Sequence, residues 1–307
     1  MILLSLIPIV TGGLLATQTA VNSRLRSFVG SPFLASTVSF SVGALFLLAL
    51  AFFTQGSVHF TTATFSDNPW WIWTGGLLGS IVLTVNILLF PKLGGVQTAV
   101  LPIFGQIIMG LLIDQFGLLS SPLNPLTVPR LLGFVLVLIG VLLTVIRKQS
   151  SRENKQKSVL LWQMIGVLAG MLSATQTAVN GYLGTILGSS LQAAAISFST
   201  GTVILLVYCL GTQTTFADLG KAVSAGKSYW WIWIGGFLGG LYVFGSAWLV
   251  PQIGTGQVVV MALFGQLTFS AIIDQFGFFH ALKSPVSRQK LLGLVIMFIG
   301  VILTKMA

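Results

Sequence analysis

The chain is built from ten apolar runs, at about 2–22, 33–53, 71–90, 96–117, 131–146, 160–180, 190–210, 230–249, 256–277 and 291–306. Only Asp114, Asp274 and Lys305 place a charge inside any of them. A helix needs roughly 20 predominantly apolar residues to cross the hydrocarbon core of a bilayer; eight of these runs have 20 to 22 residues and two, 131–146 and 291–306, have 16. Charged residues make up 7% of the chain, whereas a soluble domain carries about a quarter. The expected fold is therefore an all-α polytopic membrane protein with ten transmembrane helices. The short connections leave no room for a soluble catalytic domain. The first run starts at the amino terminus as a signal peptide would, but it lacks a basic n-region and has a twin in mid-chain, so it reads as a mature helix.

That twin is part of an internal duplication. Ala16-Thr17-Gln18-Thr19-Ala20-Val21-Asn22 returns unchanged as Ala174-Thr175-Gln176-Thr177-Ala178-Val179-Asn180, and Ser39-Phe40-Ser41 returns as Ser197-Phe198-Ser199, both at an offset of 158. Further on the offset is 160: Trp70-Trp71-Ile72-Trp73 pairs with Trp230-Trp231-Ile232-Trp233, and Ile113-Asp114-Gln115-Phe116-Gly117 with Ile273-Asp274-Gln275-Phe276-Gly277. Leu131-Leu132-Gly133 likewise pairs with Leu291-Leu292-Gly293. The expected organisation is a first five-helix repeat over 1–147, a polar cytoplasmic linker over 148–158 and a second five-helix repeat over 159–307.

Five crossings per copy is an odd number, so the second copy is expected to enter the membrane inverted. The basic residues bear on this. On the side of Met1 the loops and termini hold only Arg130 and Lys305, and the other side holds the remaining thirteen of the fifteen lysines and arginines. Equivalent loops also exchange their charge: Arg24 and Arg26 follow the first span, while the corresponding stretch after the sixth has no basic residue. By the positive-inside rule the basic-rich side is cytoplasmic and both termini are extracytoplasmic. The net charge of +10 thus reads as orientation and contact with anionic membrane lipid rather than as a nucleic-acid footprint.

The five-plus-five arrangement, the Ala-Thr-Gln-Thr-Ala-Val-Asn segment, the Trp-rich start of the third span running into Gly75-Gly76, and Phe104-Gly105-Gln106 followed by Ile113-Asp114-Gln115-Phe116-Gly117 resemble the YdcZ family. This is a bacterial branch of the drug/metabolite transporter superfamily that contains single five-helix proteins and fused antiparallel pairs. The resemblance covers essentially the whole chain. It implies a multi-pass, transporter-like protein of the bacterial inner membrane, and it gives architecture rather than cargo.

Polar groups inside a bilayer are costly unless paired or wetted, so they are the first candidates for function. Gln106, Gly110 and Asp114 form one stripe on the fourth span, repeated as Gln266, Ser270 and Asp274 on the ninth. Gln18 and Asn22 share a face of the first span, and Gln176 and Asn180 share one of the sixth. Gln106 lies roughly 15 to 18 Å into its helix at 1.5 Å per residue, and Gln266 lies equally deep from the opposite side. Substrate sites of inverted-repeat transporters lie near the midplane at the repeat interface, so these two amides are the leading candidates for cargo contacts. Hydrogen bonds between helices are the structural alternative. Gln18, Asn22, Gln176 and Asn180 read either as the two mouths of a pathway or as caps of adjacent loops.

The carboxylates lie at the ends of their helices, about 28 Å along, which is the wrong depth for a midplane proton relay. Arg130 follows Asp114 by sixteen residues and Lys290 follows Asp274 by sixteen. Ion pairs joining adjacent helices are the favoured reading over proton coupling. Gly75 with Gly79, Gly236 with Gly240, Gly133 with Gly140 and Gly293 with Gly300 predict close helix packing. Pro91 with Gly94 and Pro251 with Gly254 predict tight turns.

No enzymatic signature is present. His59 and His280 fall in loops on opposite faces and cannot share a metal, lone Cys209 has no disulfide partner, and no glycine loop runs into Lys-Ser or Lys-Thr. No metal or other cofactor is expected. The leading expectation is a secondary transporter of a small organic solute working by alternating access, with a neutral, zwitterionic or amphipathic cargo. A non-transporting membrane scaffold or accessory subunit, or a lipid-handling flippase, are the alternatives. The oligomeric state is left open by the sequence.

Overall fold

A computed structural model describes residues 2–55, 64, 66–145, 156–281, 283 and 285–306. His59 and most of the 148–158 linker lie outside the described residues. Among the described residues the regular structure is helical throughout. The helices are α1 (Ile2–Val29), α2 (Pro32–Gln55), α3 (Gly75–Phe116), α4 (Val128–Val145), α5 (Gln156–Ile186), α6 (Ser190–Gly211), the short α7 (Leu219–Ser224), α8 (Gly235–Ile253), α9 (Thr255–Phe276) and α10 (Arg288–Met306). Four segments, Pro32–Gln55, Ser190–Gly211, Lys227–Ile253 and Thr255–Phe276, are long and apolar enough to cross a membrane.

Two helices run past their expected ends, and the expected third and fourth spans fall in one helix, α3. α1 continues past Asn22 to Val29, and α5 past Asn180 to Ile186, because nothing in Ser23–Phe28 or Gly181–Thr185 breaks a helix until Gly30 and Gly188 take positive φ. Arg24 and Arg26 therefore ride on a helix rather than in a loop. α3 spans 42 residues but is no single straight rod. Gly75, Gly79 and Leu89 meet Asn180, Gln176 and Gly166 in turn, whereas Leu101, Pro102 and Gly105 meet Gly166, Gly170 and Val167. The first arm thus runs antiparallel to α5 and the second parallel to it, so the chain reverses between Leu89 and Leu101, where the sequence places Pro91 and Gly94. In the second copy the corresponding reversal is explicit: Pro251 lies in the last turn of α8, and Gly254, with φ 87° and ψ 158°, separates α8 from α9.

Packing crosses the copies. α1 packs on α8 and α9, α5 on α3, α2 on α6 and α8, and α4 on α10. Small residues make this possible by letting helix backbones touch. A Cβ added at Gly12 would lie 2.0 Å from the Ala262 carbonyl oxygen, and one at Gly265 would lie 1.9 Å from that of Ile9. The equivalent pairs in α5 and α3 are as tight, with Gly170 against Pro102 and Gly105 against Val167, both at 1.9 Å. Gly133 meets Gly300 and Gly140 meets Gly293, so α4 and α10 run antiparallel. α2 and α6 do too, with Thr37 beside Cys209 and Gln55 beside Gln192. The Gly12–Ala262 and Gly265–Ile9 contacts are thus returned by the counterpart glycines Gly170 and Gly105.

The Trp-rich segments Trp70–Trp73 and Lys227–Trp233 form 3-10 turns before α3 and α8. Ile72 and Ile232 are fully buried, while Trp70 and Trp230 are exposed, as suits rings anchored at a membrane interface.

Candidate functional site

α1 and α5 each carry the Gln-x-x-x-Asn pair that the repeat duplicates, and the spacing of four puts both amides on one helix face. Asn22 Nδ2 donates to Ser39 Oγ at 3.0 Å, and Asn180 Nδ2 donates to Ser197 Oγ at 3.3 Å. In both the amide oxygen is buried without a hydrogen-bond partner. It rests on a glycine of the other copy: a Cβ on Gly235 would lie 2.0 Å from Asn22 Oδ1, and one on Gly75 would lie 2.0 Å from Asn180 Oδ1. One turn away, Gln18 packs on Gly239 and Gln176 on Gly79. Four glycines are thus the floor on which four amides sit.

Gln106 and Gln266 each follow the glycine at which a helix backbone touches a first helix, Gly105 on Val167 and Gly265 on Ile9. Both are half-buried. Among the described residues neither amide has a hydrogen-bond partner, so its two donors and its acceptor remain available. The structure therefore leaves Gln106 and Gln266 unpaired and ties down Asn22 and Asn180.

The carboxylates meet the bases sixteen residues on. Arg130 Nη2 lies 3.0 Å from Asp114 Oδ2, and Lys290 Nζ lies 3.1 Å from Asp274 Oδ2. Arg130 also donates through Nη1 to the carbonyls of Asn124 and Pro125. Asp114 abuts the start of α9, because a Cβ on Gly256 would lie 2.9 Å from its Oδ2; a negative charge at a helix N-terminus is favoured there. The loops after Gly117 and Gly277 fold alike: Gln115 Oε1 accepts the Leu126 N–H, and Gln275 Oε1 accepts that of Val286.

A cavity of about 780 Å³ opens where α2, α5, α6 and α8 end or begin, lined by Thr54, Gln55, Thr185, Ser189, Trp248 and Gln252 among others. Its lining mixes these hydroxyls and amides with apolar Leu50, Leu191, Phe244 and Pro251, and none of the lining side chains is charged. Gln55 Oε1 accepts from both Ser189 Oγ and Gln192 Nε2 at 2.9 Å. The corresponding place at the other end of the molecule is occupied by aromatic rings, Phe33 and Tyr208, with centroids 4.5 Å apart.

Sequence reasoning did not single out Gly12, Gly170, Gly105 and Gly265 as contact points, nor Gln55 and Ser189 as cavity lining. The signal for the four glycines was present, since Gly12 aligns with Gly170 at 158 and Gly105 with Gly265 at 160. For Gln55 there was none.

An all-helical chain with apolar helices long enough to cross a membrane, unpaired amides on duplicated positions and an uncharged cavity has the make-up of a membrane transporter. The family described as "Putative inner membrane exporter, YdcZ" matches residues 3–143 and again residues 161–303, and the chain belongs to it. The two matches establish the duplication. The chain is also similar to the Inner membrane protein YdcZ of Escherichia coli (strain K12), with 27% identity over 126 residues, 41% of this chain and 83% of that protein. A solved crystal structure 12% identical superposes with a TM-score of 0.66 over 99% of this chain and 96% of its own, a likeness of fold.

Proposed function

We propose that the protein is a secondary transporter that moves a small organic solute across the bacterial inner membrane by alternating access between two inverted five-helix halves, with both termini extracytoplasmic. The observation that carries this reading is the exchange of contacts: equivalent helices α2 and α6, and α4 and α10, lie antiparallel, and the Gly105 and Gly265 contacts present Gln106 and Gln266 from opposite copies. Two chemically equal half-sites related by an inversion suit a pathway opened from alternate sides. Neutral amides and hydroxyls, with Asp114 and Asp274 paired at helix ends, favour a neutral, zwitterionic or amphipathic cargo. The paired carboxylates serve as staples between helices, and Gln18, Asn22, Gln176 and Asn180 position the first helix of each half.

Two experiments test this. Untargeted comparison of metabolites released and retained by cells with and without the protein identifies the cargo, and counterflow in proteoliposomes then measures it. The Gln106→Leu, Gln266→Leu double variant is expected to fold and to lose flux; undiminished flux removes the amides from the site. For the orientation, S31C and S189C, placed at equivalent positions in a Cys209→Ser background, are expected to react with a membrane-impermeant maleimide from opposite sides of the membrane. Labelling from one side discards the inversion.

A further inference from the structure

At the end of the molecule where α1 finishes, Arg24 is held in an aromatic clamp. Its guanidinium carbon lies 5.0 Å from the Phe28 ring centre and 5.3 Å from that of Tyr229, and Nη2 lies 3.3 Å from the Tyr229 hydroxyl. Its Nε is buried without a hydrogen-bond partner, and among the described residues no carboxylate pairs with it. Around it the Tyr229 and Trp231 rings pack on His280 at 5.6 and 5.9 Å. The stem of Lys283 folds over Gly277.

The duplicated end shows what this scaffold needs merely to pack. There Tyr182 stands in the place of Arg24 and stacks on Trp71 at 5.3 Å, Ser120 replaces His280, and Leu123 replaces Lys283 beside Gly117. Three neutral side chains complete one copy of the corner, and three basic or proton-accepting ones complete the other. A guanidinium at a membrane boundary with an unclaimed buried donor and no carboxylate calls for an anion, and its planar fork matches the oxygens of a phosphate. Basic pockets between membrane helices bind phospholipid headgroups on the same terms, and interfacial aromatic rings fix the depth of such a site.

We propose that Arg24, with His280 and Lys283, binds the phosphate headgroup of an anionic phospholipid in the corner formed by α1, the Tyr229–Trp231 turn and the loop after α9. This site is independent of transport and of which face is cytoplasmic. The purified full chain in dodecyl maltoside is titrated with phosphatidylglycerol, phosphatidylcholine or inorganic phosphate, and retained lipid is read by native mass spectrometry beside the thermal midpoint. Phosphatidylglycerol is expected to be retained and to raise the midpoint, and the other two are not. Arg24→Gln is expected to weaken phosphatidylglycerol binding about fivefold, Lys283→Gln by about two- to threefold, and Lys221→Gln, which removes a lysine already paired with Asp218, not at all. Should Arg24→Gln fail to fold, the exposed Lys283→Gln and His280→Ala variants carry the comparison. Binding unchanged in Arg24→Gln, or in both of those variants, overturns the proposal. Equal protection by inorganic phosphate overturns the lipid as ligand, and equal retention of phosphatidylcholine overturns the requirement for net negative charge.

Discussion

The two ends of the molecule carry the same ion pair at the same spacing, and the structure treats them differently. Asp114 and Arg130 are 1% and 4% exposed, whereas Asp274 and Lys290 are 33% and 16% exposed. At the buried end Arg130 spends its second nitrogen on two loop carbonyls and Asp114 abuts the start of α9; at the exposed end Lys290 offers a single ammonium to Asp274 alone. The choice of base fits the setting: a fork that holds its partner and the loop together suits a dry corner, and a point charge with a well-hydrated head suits a wet one. Duplication supplied the geometry twice, and substitution at one position let one staple become part of the core while the other stayed at the surface.

The largest expected effect follows from that contrast. Arg130→Met strands a buried carboxylate and is expected to cost about 3 to 5 kcal/mol, while Lys290→Met costs less than about 1 kcal/mol; unfolding in micelles measures both. The pair of Asp114→Leu with Arg130→Met is expected to recover much of the loss, because no uncompensated charge remains. Equal penalties at the two ends would erase the distinction. Next in size, Gly265→Ala and Gly105→Ala drive a Cβ into a carbonyl at 1.9 Å, and overpacking of this kind costs about 1 to 3 kcal/mol. Similar losses at both sites, read from the same unfolding curves, would show that the copies share their tightest seam even though their ion pairs differ. The smallest effect separates the asparagines. Asn180→Ala is expected to cost about 1 kcal/mol and Asn22→Ala less, since Asn180 is 2% exposed and Asn22 is half-buried.

Much of this architecture was readable from the residues. Apolar run length gave the all-helical character, though the expected third and fourth spans fall within the single α3 and four segments are long and apolar enough to cross a membrane; the Ala-Thr-Gln-Thr-Ala-Val-Asn repeat gave the duplication, and a sixteen-residue interval in both copies pointed Arg130 at Asp114 and Lys290 at Asp274. The rest depends on partners that sequence spacing does not name. Nothing local in Gly105 says that Val167 lies against it, because backbone contact between helices is decided by which faces the whole bundle brings together. The difference in burial between the ion pairs is also invisible locally, since Asp114 and Asp274 sit in the same pentapeptide. Gln106 and Gln266 stand out in the sequence as amides inside apolar runs, but which amides find partners, Asn22 and Asn180 rather than these two, is decided by the packed bundle.

The seam between Ile9 and Gly265 has a consequence for biosynthesis. Those residues are separated by 256 positions, and at about 5 to 20 residues per second α1 waits roughly 13 to 50 s for α9 to be made. For that interval a helix bearing Gln18 and Asn22 stays in lipid without the surface it was shaped for. Its insertion must therefore be stable alone or sheltered by the insertion machinery, and a nascent chain truncated before α8 should be a ready substrate for membrane proteases.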